Sequence, residues 1–176
     1  AANLGVNSFG LYPMRQKSRA VIARDNSGTV TVEDIWVEAP RHGEVMVKME
    51  ACGVCHSDLS TAKGVIPLPP PVVLGHEGAG RIVSVGDGVK GLAVGDRVIT
   101  SFVSMCGHCR YCSTGRPQLC DQNSRTAFTL PDGTVRTFDM ANSPLNVLCG
   151  CGVMSEYATL HMDNVVKVDQ PDISME

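Results

Sequence analysis

The chain has 176 residues, 43% of them hydrophobic and 19% charged, with a formal net charge of −3; this suits one compact domain with a real core. The mild acidity and the lack of any Lys/Arg run argue against nucleic acid as a partner, and apolar stretches such as Val72–Leu74 and Ala20–Ala23 are far too short to span a bilayer. Eight cysteines are many for a reducing compartment, where clustered thiols argue first for metal and second for catalysis.

Residues Ala1–Pro13 have neither a basic n-region nor an apolar h-region, so no signal peptide is expected and the chain reads as cytoplasmic. Met14, followed by Arg15-Gln16-Lys17, looks like a natural start, and 1–13 reads as a disordered leader ahead of a domain over 14–176. Short β-type runs then follow one another: Ser18–Arg24, Val30–Val37, and Glu44–Ala51, where Val45, Val47 and Met49 alternate onto one face. Cys55–Lys63 reads as the one helix, opened by Ser57 and Asp58 as cap-type residues. Pro67-Leu68-Pro69-Pro70-Pro71 is stiff and suits neither helix nor central strand. Strand-like runs resume at Gly80–Val85 and Arg97–Phe102. A weakly patterned excursion over 122–148, with a turn at Pro131-Asp132-Gly133, separates them from Val153–Leu160 and Val165–Val168. Many short strands with almost no βαβ alternation predict a small rolled β-sheet domain with few short helices.

Cys106-x2-Cys109-x2-Cys112-x7-Cys120 is the strongest local signal. Four thiolates at such spacings, with Gly107, Gly115 and Pro117 letting the backbone fold tightly, suit a closed tetrahedral zinc site in a lobe over about 104–122. An iron–sulfur cluster is the alternative, but the bacterial ferredoxin run places its fourth cysteine after three residues and follows it with proline. Cys52-Gly53-Val54-Cys55-His56 matches the c-type haem attachment pattern and contains a thioredoxin-like CxxC. A β-rich chain without an export signal or βαβ units suits neither. Gly86-x-Gly88-x2-Gly91 matches the dinucleotide fingerprint GxGxxG, yet it lies between two strand-like runs with no helix after it, so it is read as a chance match.

Three segments together carry a family resemblance. Gly53-Val54-Cys55-His56-Ser57-Asp58 resembles the GVCH[TS]D segment of zinc-dependent medium-chain alcohol dehydrogenases. Gly75-His76-Glu77-x2-Gly80-x5-Gly86-x2-Val89 fits that family's zinc signature, and Gly95-Asp96-Arg97-Val98 its GD[RK]V turn. The cysteine lobe has the spacing of the family's structural zinc. The resemblance spans Met14 to Glu176 and implies a GroES-like (chaperonin-10-like), partly open β-barrel. It also implies a second, catalytic zinc held by Cys55 and His76 and open to substrate.

The chemical need for such a metal is plain. An aliphatic alcohol barely ionises at neutral pH, whereas hydride leaves readily only from an alkoxide; by analogy with metal-activated water, a metal lowers such a pKa by roughly 8 units, about 11 kcal/mol. The resemblance makes Ser57 the first hydroxyl of a proton relay, or simply a helix cap. Asp58 becomes the carboxylate that orients His76, or a charge favouring the helix N-terminus. Glu77 becomes an acid behind the metal, or half of a buried ion pair. His56 becomes a cation against the pyrophosphate of NAD(P), or a surface histidine.

Two departures stand out: Ser60 occupies the place of a relay histidine, and the family's third zinc ligand, a cysteine, falls beyond Glu176. Cys149 and Cys151 lie upstream of that ligand and read as structural or incidental thiols, and no role is read for Cys52. The resemblance thus implies the catalytic portion of an enzyme oxidising small alcohols to aldehydes or ketones with NAD(P). Its Rossmann half would be absent here, the whole enzyme a homo-oligomer through that half, and the present chain inactive alone. A stand-alone zinc-binding interaction module, with only the cysteine lobe occupied, is the alternative.

Overall fold

The structure, a computed structural model, describes residues 14–122, 127–170 and 172–175. The leader expected at 1–13 lies outside the described residues. Strands β1 (Arg15–Ala23), β2 (Thr31–Glu38) and β3 (Glu44–Cys52) lead into helix α1 (His56–Ala62). Then come β4 (Val72–Val73), β5 (Gly78–Val85), β6 (Arg97–Thr100) and the four-residue helix α2 (Arg110–Ser113). Short strands β7 (Thr137–Asp139), β8 (Asn146–Val147), β9 (Tyr157–His161) and β10 (Val165–Lys167) complete the order. They form two five-stranded sheets, β7-β2-β1-β4-β8 and β10-β6-β5-β3-β9, antiparallel except for the β4–β8 pair.

Residues 153–156 lace the sheets together along one seam: Val21 N–H donates to the Met154 carbonyl at 2.8 Å, and Met49 N–H to the Glu156 carbonyl at 2.9 Å. The result is the mostly β, partly open barrel that the sequence predicts. Val45 and Val47 pack with Ile82, Val98, Ala158 and Leu160, and half-buried Met49 joins them, as the alternation predicts. The opposite face of β3 is not solvent, however: Met46 is fully buried against Ala20, Ile22, Ile35 and Val37 of the other sheet. Alternation alone could not reveal a strand with core on both sides. Between Met46 and Val47 the partner on β5 steps from Ser84 to Ile82, leaving Val83 as an extra residue packed against the Met46 cluster. Such a bulge adds local twist and curls the sheet.

Several expectations are corrected. The helix begins one residue later than expected and is capped by Cys55, not by Ser57 or Asp58. The Asp58 carboxylate still serves the helix start, because Oδ2 accepts the Cys55 N–H at 3.0 Å. Residues 153–156 are irregular, so the expected strand over Val153–Leu160 is observed as Tyr157–His161. Of the excursion expected over 122–148, the described residues 127–148 are better ordered than their sequence suggests. They contribute β7 and β8 and are anchored by Arg136, 1% exposed, whose Nε and Nη2 donate to the two Glu44 carboxylate oxygens at 3.0 and 2.6 Å. Asp132 adds a further contact to Arg136 Nη2 at 2.6 Å. As expected, no helix follows Gly86-x-Gly88-x2-Gly91, which forms the turn between β5 and β6. Gly86 is needed there because a side chain would run into the Arg41 carbonyl of the β2–β3 connection. Among the described residues, no helix is long and apolar enough to cross a membrane.

Candidate metal centres

Two groups of metal-type donors form among the described residues, one of Cys106, Cys109, Cys112 and Cys120, the other of Cys55, His76 and Glu77, with ligand atoms within 4.8 Å of one another in each.

In the first group the four thiols are brought together by α2, whose N-cap is Cys109, and by the 3-10 turn Pro117–Leu119 that delivers Cys120. All four are free of disulfides. A tetrahedral ion with metal–sulfur bonds of about 2.3 Å sets its sulfurs about 3.8 Å apart, and the Cys109 and Cys120 sulfurs stand 3.9 Å apart. Backbone amides already point at the sulfurs. Cys109 N–H donates to the Cys106 sulfur at 3.3 Å, Cys106 N–H to Cys120 at 3.4 Å, and Cys112 N–H to Cys109 at 3.5 Å. Donation from the Cys112 amide, joined by Asp121, holds the Cys109 thiol down at about 6. Loss of hydration and the neighbouring sulfurs push Cys112 up to about 12, although the Gly107 amide works against them. Four thiols thus converge among the described residues, and a tetrahedral ion held by all four would leave no position open to substrate.

The second group stands where three elements meet. Cys55 ends the extended run leaving β3, while His76 and Glu77 occupy the corner between β4 and β5. Gly75 forms that corner with φ +92°, and a side chain on it would strike the Met154 backbone at the seam. The imidazole of His76 is 5% exposed. Its Nε2 faces Ser57 Oγ at 3.2 Å and Glu77 Oε1 at 3.9 Å. Its Nδ1 is buried without a hydrogen-bond partner, and Asp58 Oδ1 stands behind it at 3.5 Å. A metal on Nε2 requires the proton on Nδ1, where it faces this carboxylate. The same carboxylate accepts the N–H groups of Cys55 at 3.0 Å and Gly75 at 2.9 Å, tying together the two backbones that carry the soft donors.

An open cleft of about 500 Å³ fronts the imidazole, lined by Cys52, His76, Glu77, Thr100, Phe102 and Met175 among others. The Phe102 and His76 rings stand nearly perpendicular, with centroids 5.7 Å apart. The sequence reading missed Phe102 and Thr100 as parts of this site; the only signal was an aromatic residue at the end of an expected strand. His56 is exposed on α1 and meets Ser60 Oγ through Nδ1 at 3.3 Å, apart from the donor group. Cys52, Cys149 and Cys151 join neither group. Burial, with Asp58 adding, pushes Cys52 and Cys149 up to about 11, and burial raises Cys151 further, so these thiols stay protonated at neutral pH.

A partly open β-barrel with a four-thiol group that could hold a metal ion, and a second Cys/His/Glu group beside a cleft, defines the class of domain. The chain belongs to the alcohol dehydrogenase GroES-like domain family, which matches residues 41–170. It is 40% identical over 154 residues to an NDMA-dependent alcohol dehydrogenase of Amycolatopsis methanolica, covering 87% of this chain and 41% of that protein. It is 38% identical over 156 residues to an S-(hydroxymethyl)glutathione dehydrogenase of Escherichia coli, covering 87% and 42%. The chain thus spans about two fifths of the length of these curated relatives. Among solved structures, it superposes with a TM-score of 0.84 and 34% identity on an alcohol dehydrogenase zinc-binding domain protein of Burkholderia ambifaria, covering 89% of this chain and 43% of that one. Benzyl alcohol dehydrogenase from Acinetobacter calcoaceticus gives a TM-score of 0.81 at 30% identity, covering 91% and 43%.

Proposed function

We propose that this chain is the metal-bearing catalytic portion of a zinc-dependent alcohol dehydrogenase, which oxidises small primary or secondary alcohols reversibly with NAD(P). The observation that carries this reading is the convergence of Cys55, His76 and Glu77 beside the cleft that His76 and Glu77 line, apart from the closed thiol group. Both donor sets fit zinc. The sulfur separation in the lobe suits one tetrahedral ion, and a soft thiol beside an imidazole backed by a carboxylate suits a second, open site.

Cys106, Cys109, Cys112 and Cys120 would hold the structural ion. Cys55 and His76 would hold the catalytic one, with a third thiolate from sequence beyond Glu176; Met175 already lines the cleft. When bound, that ion supplies the Lewis acidity that lets an alcohol ionise near neutral pH. Ser57, hydroxyl towards His76 Nε2, is placed to take the alcohol's proton. Asp58, 3.5 Å behind Nδ1, would orient the imidazole. Glu77, half exposed with Oε1 3.9 Å from Nε2, would be a further oxygen donor within reach of that ion. Beyond Ser57 the proton leaves by water or by a further hydroxyl, since Ser60 stands where a relay histidine is expected. His56, exposed on α1, would meet the phosphates of a dinucleotide held by a separate domain. That domain would also carry the contacts of a homo-oligomer, the whole enzyme being cytoplasmic and the 176-residue portion inactive alone.

Metal analysis and turnover of the full-length protein test this together. Two ions per chain are expected, falling to one in Cys55→Ser and in His76→Ala, with alcohol-dependent reduction of NAD(P)⁺ lost in both variants. One ion in the wild-type protein and no turnover would establish the interaction-module alternative. A Soret band with haem linked to Cys52 and Cys55 would overturn the site outright.

A further inference from the structure

The ladder between β5 and β6 pairs Arg81 with Arg97, Gly80 with Val98 and Ala79 with Ile99, so Gly78 and Thr100 are the next pair in register. There a side chain takes over from the backbone. The Thr100 hydroxyl accepts the Gly78 N–H at 2.7 Å and donates to the His76 carbonyl at 3.0 Å. The two bonds grip the residues on either side of Glu77, at the point where the chain leaves the sheet to present its imidazole to the cleft. From the other side, Asp58 grips the same corner through the Gly75 N–H. The Thr100 proton is committed to the His76 carbonyl, so this hydroxyl is a fixture and not a proton carrier, even though it lines the cleft.

We propose that Thr100 is a positioning residue for the metal-binding imidazole: its hydroxyl sets the aim of His76 and Glu77 by splicing the His76 carbonyl to the Gly78 amide. This rests on the reading of Cys55 and His76 as the open metal site. Valine has the same shape as threonine but makes neither bond, whereas serine can make both. A residue acting only on general stability would affect both metal sites alike; a positioning residue affects one.

The test is metal competition on the full-length protein against a chromophoric chelator, with the cysteine lobe as internal reference, followed by cobalt substitution at the open site. Thr100→Val is expected to weaken the open site about 10- to 100-fold, the usual effect of losing an outer-sphere partner. It should also shift the cobalt d–d absorption and leave the lobe unchanged. Thr100→Ser should restore affinity to within about threefold and recover the wild-type spectrum. Should the valine variant not fold, Thr100→Ala serves in the same comparison. Unchanged open-site affinity and spectrum in the valine or alanine variant overturn the proposal, as does an equal loss at both sites. Cys55→Ser separates the two ideas. If it abolishes the second ion while the valine variant is neutral, only the role of Thr100 fails; if it leaves the second ion bound, the site reading fails and this inference with it.

Discussion

Asp58→Asn isolates what one buried carboxylate does for this site. Asp58 is 3% exposed, and its two oxygens accept separate backbone N–H groups, Cys55 on Oδ2 and Gly75 on Oδ1. Asparagine is nearly isosteric but has one acceptor oxygen and one NH₂, so whichever way the amide lies, one N–H meets another donor. A buried donor left without a partner costs about 1–3 kcal/mol, and making the surviving bond neutral instead of charge-assisted costs about 1 kcal/mol more. The sum, about 2–4 kcal/mol, corresponds to a fall in melting temperature of roughly 4–16 °C for a chain of this size. Urea and thermal unfolding followed by circular dichroism, in a Cys55→Ser background so that metal at the open site does not contribute and the cysteine lobe stays filled, measure it directly. Asp58→Ala orphans both donors and should be worse than Asp58→Asn. An asparagine variant within about 0.5 kcal/mol of wild type, or an alanine variant no worse than it, would refute the claim that this carboxylate ties the two ligand-bearing backbones together.

Arg136→Ala should cost about 3–5 kcal/mol in urea unfolding, because it strands Glu44, 3% exposed, as an unpaired buried charge. Arg136→Met combined with Glu44→Leu should recover most of that loss, and a double variant as unstable as the single would sink this account. Burial would raise the pKa of Asp132, but Arg136 and Thr134 outweigh it and hold it at about 2 against an ordinary 3.8. A depressed carboxylate pKa stabilises above its unfolded value, so this contribution is complete above pH 4 and fades as pH falls towards 2. With the side chain 45% exposed, screening cuts the contribution to about 1 kcal/mol. Asp132→Asn should therefore differ from wild type by that amount at pH 5 and by nothing near pH 2. Cys109→Ser, or chelation of the wild type, should make the 104–122 lobe sensitive to protease, since a structural zinc contributes about 10–16 kcal/mol in comparable peptides. An unchanged digestion pattern after the metal is stripped would remove its structural role.

What could be read from the sequence, and what could not, divides along the range of the interactions involved. The long strands β1, β2, β3 and β5 were legible because β-branched runs and alternation are local properties. The thiol lobe was legible because its ligands lie close together in the chain and their spacing is itself the geometry. Strands β4, β7 and β8 were not, since two or three residues carry no period and pair only because longer neighbours offer an edge. Arg136 was invisible for another reason: a charged side chain in a weakly patterned stretch reads as solvated, and its burial depends above all on the buried carboxylate of Glu44, 92 positions away.

The open site falls between these cases. Cys55 and His76 were legible as donor types in a motif, but the cap at Cys55, the ring of Phe102 and the bonds of Thr100 depend on where β6 lies against β5. A ligand's identity is fixed by its own chemistry, whereas its aim is fixed by partners that register brings from elsewhere. A sequence can therefore name the atoms that would hold a metal while leaving unstated the groups that decide how tightly, and Thr100 is the place in this chain where that difference can be measured.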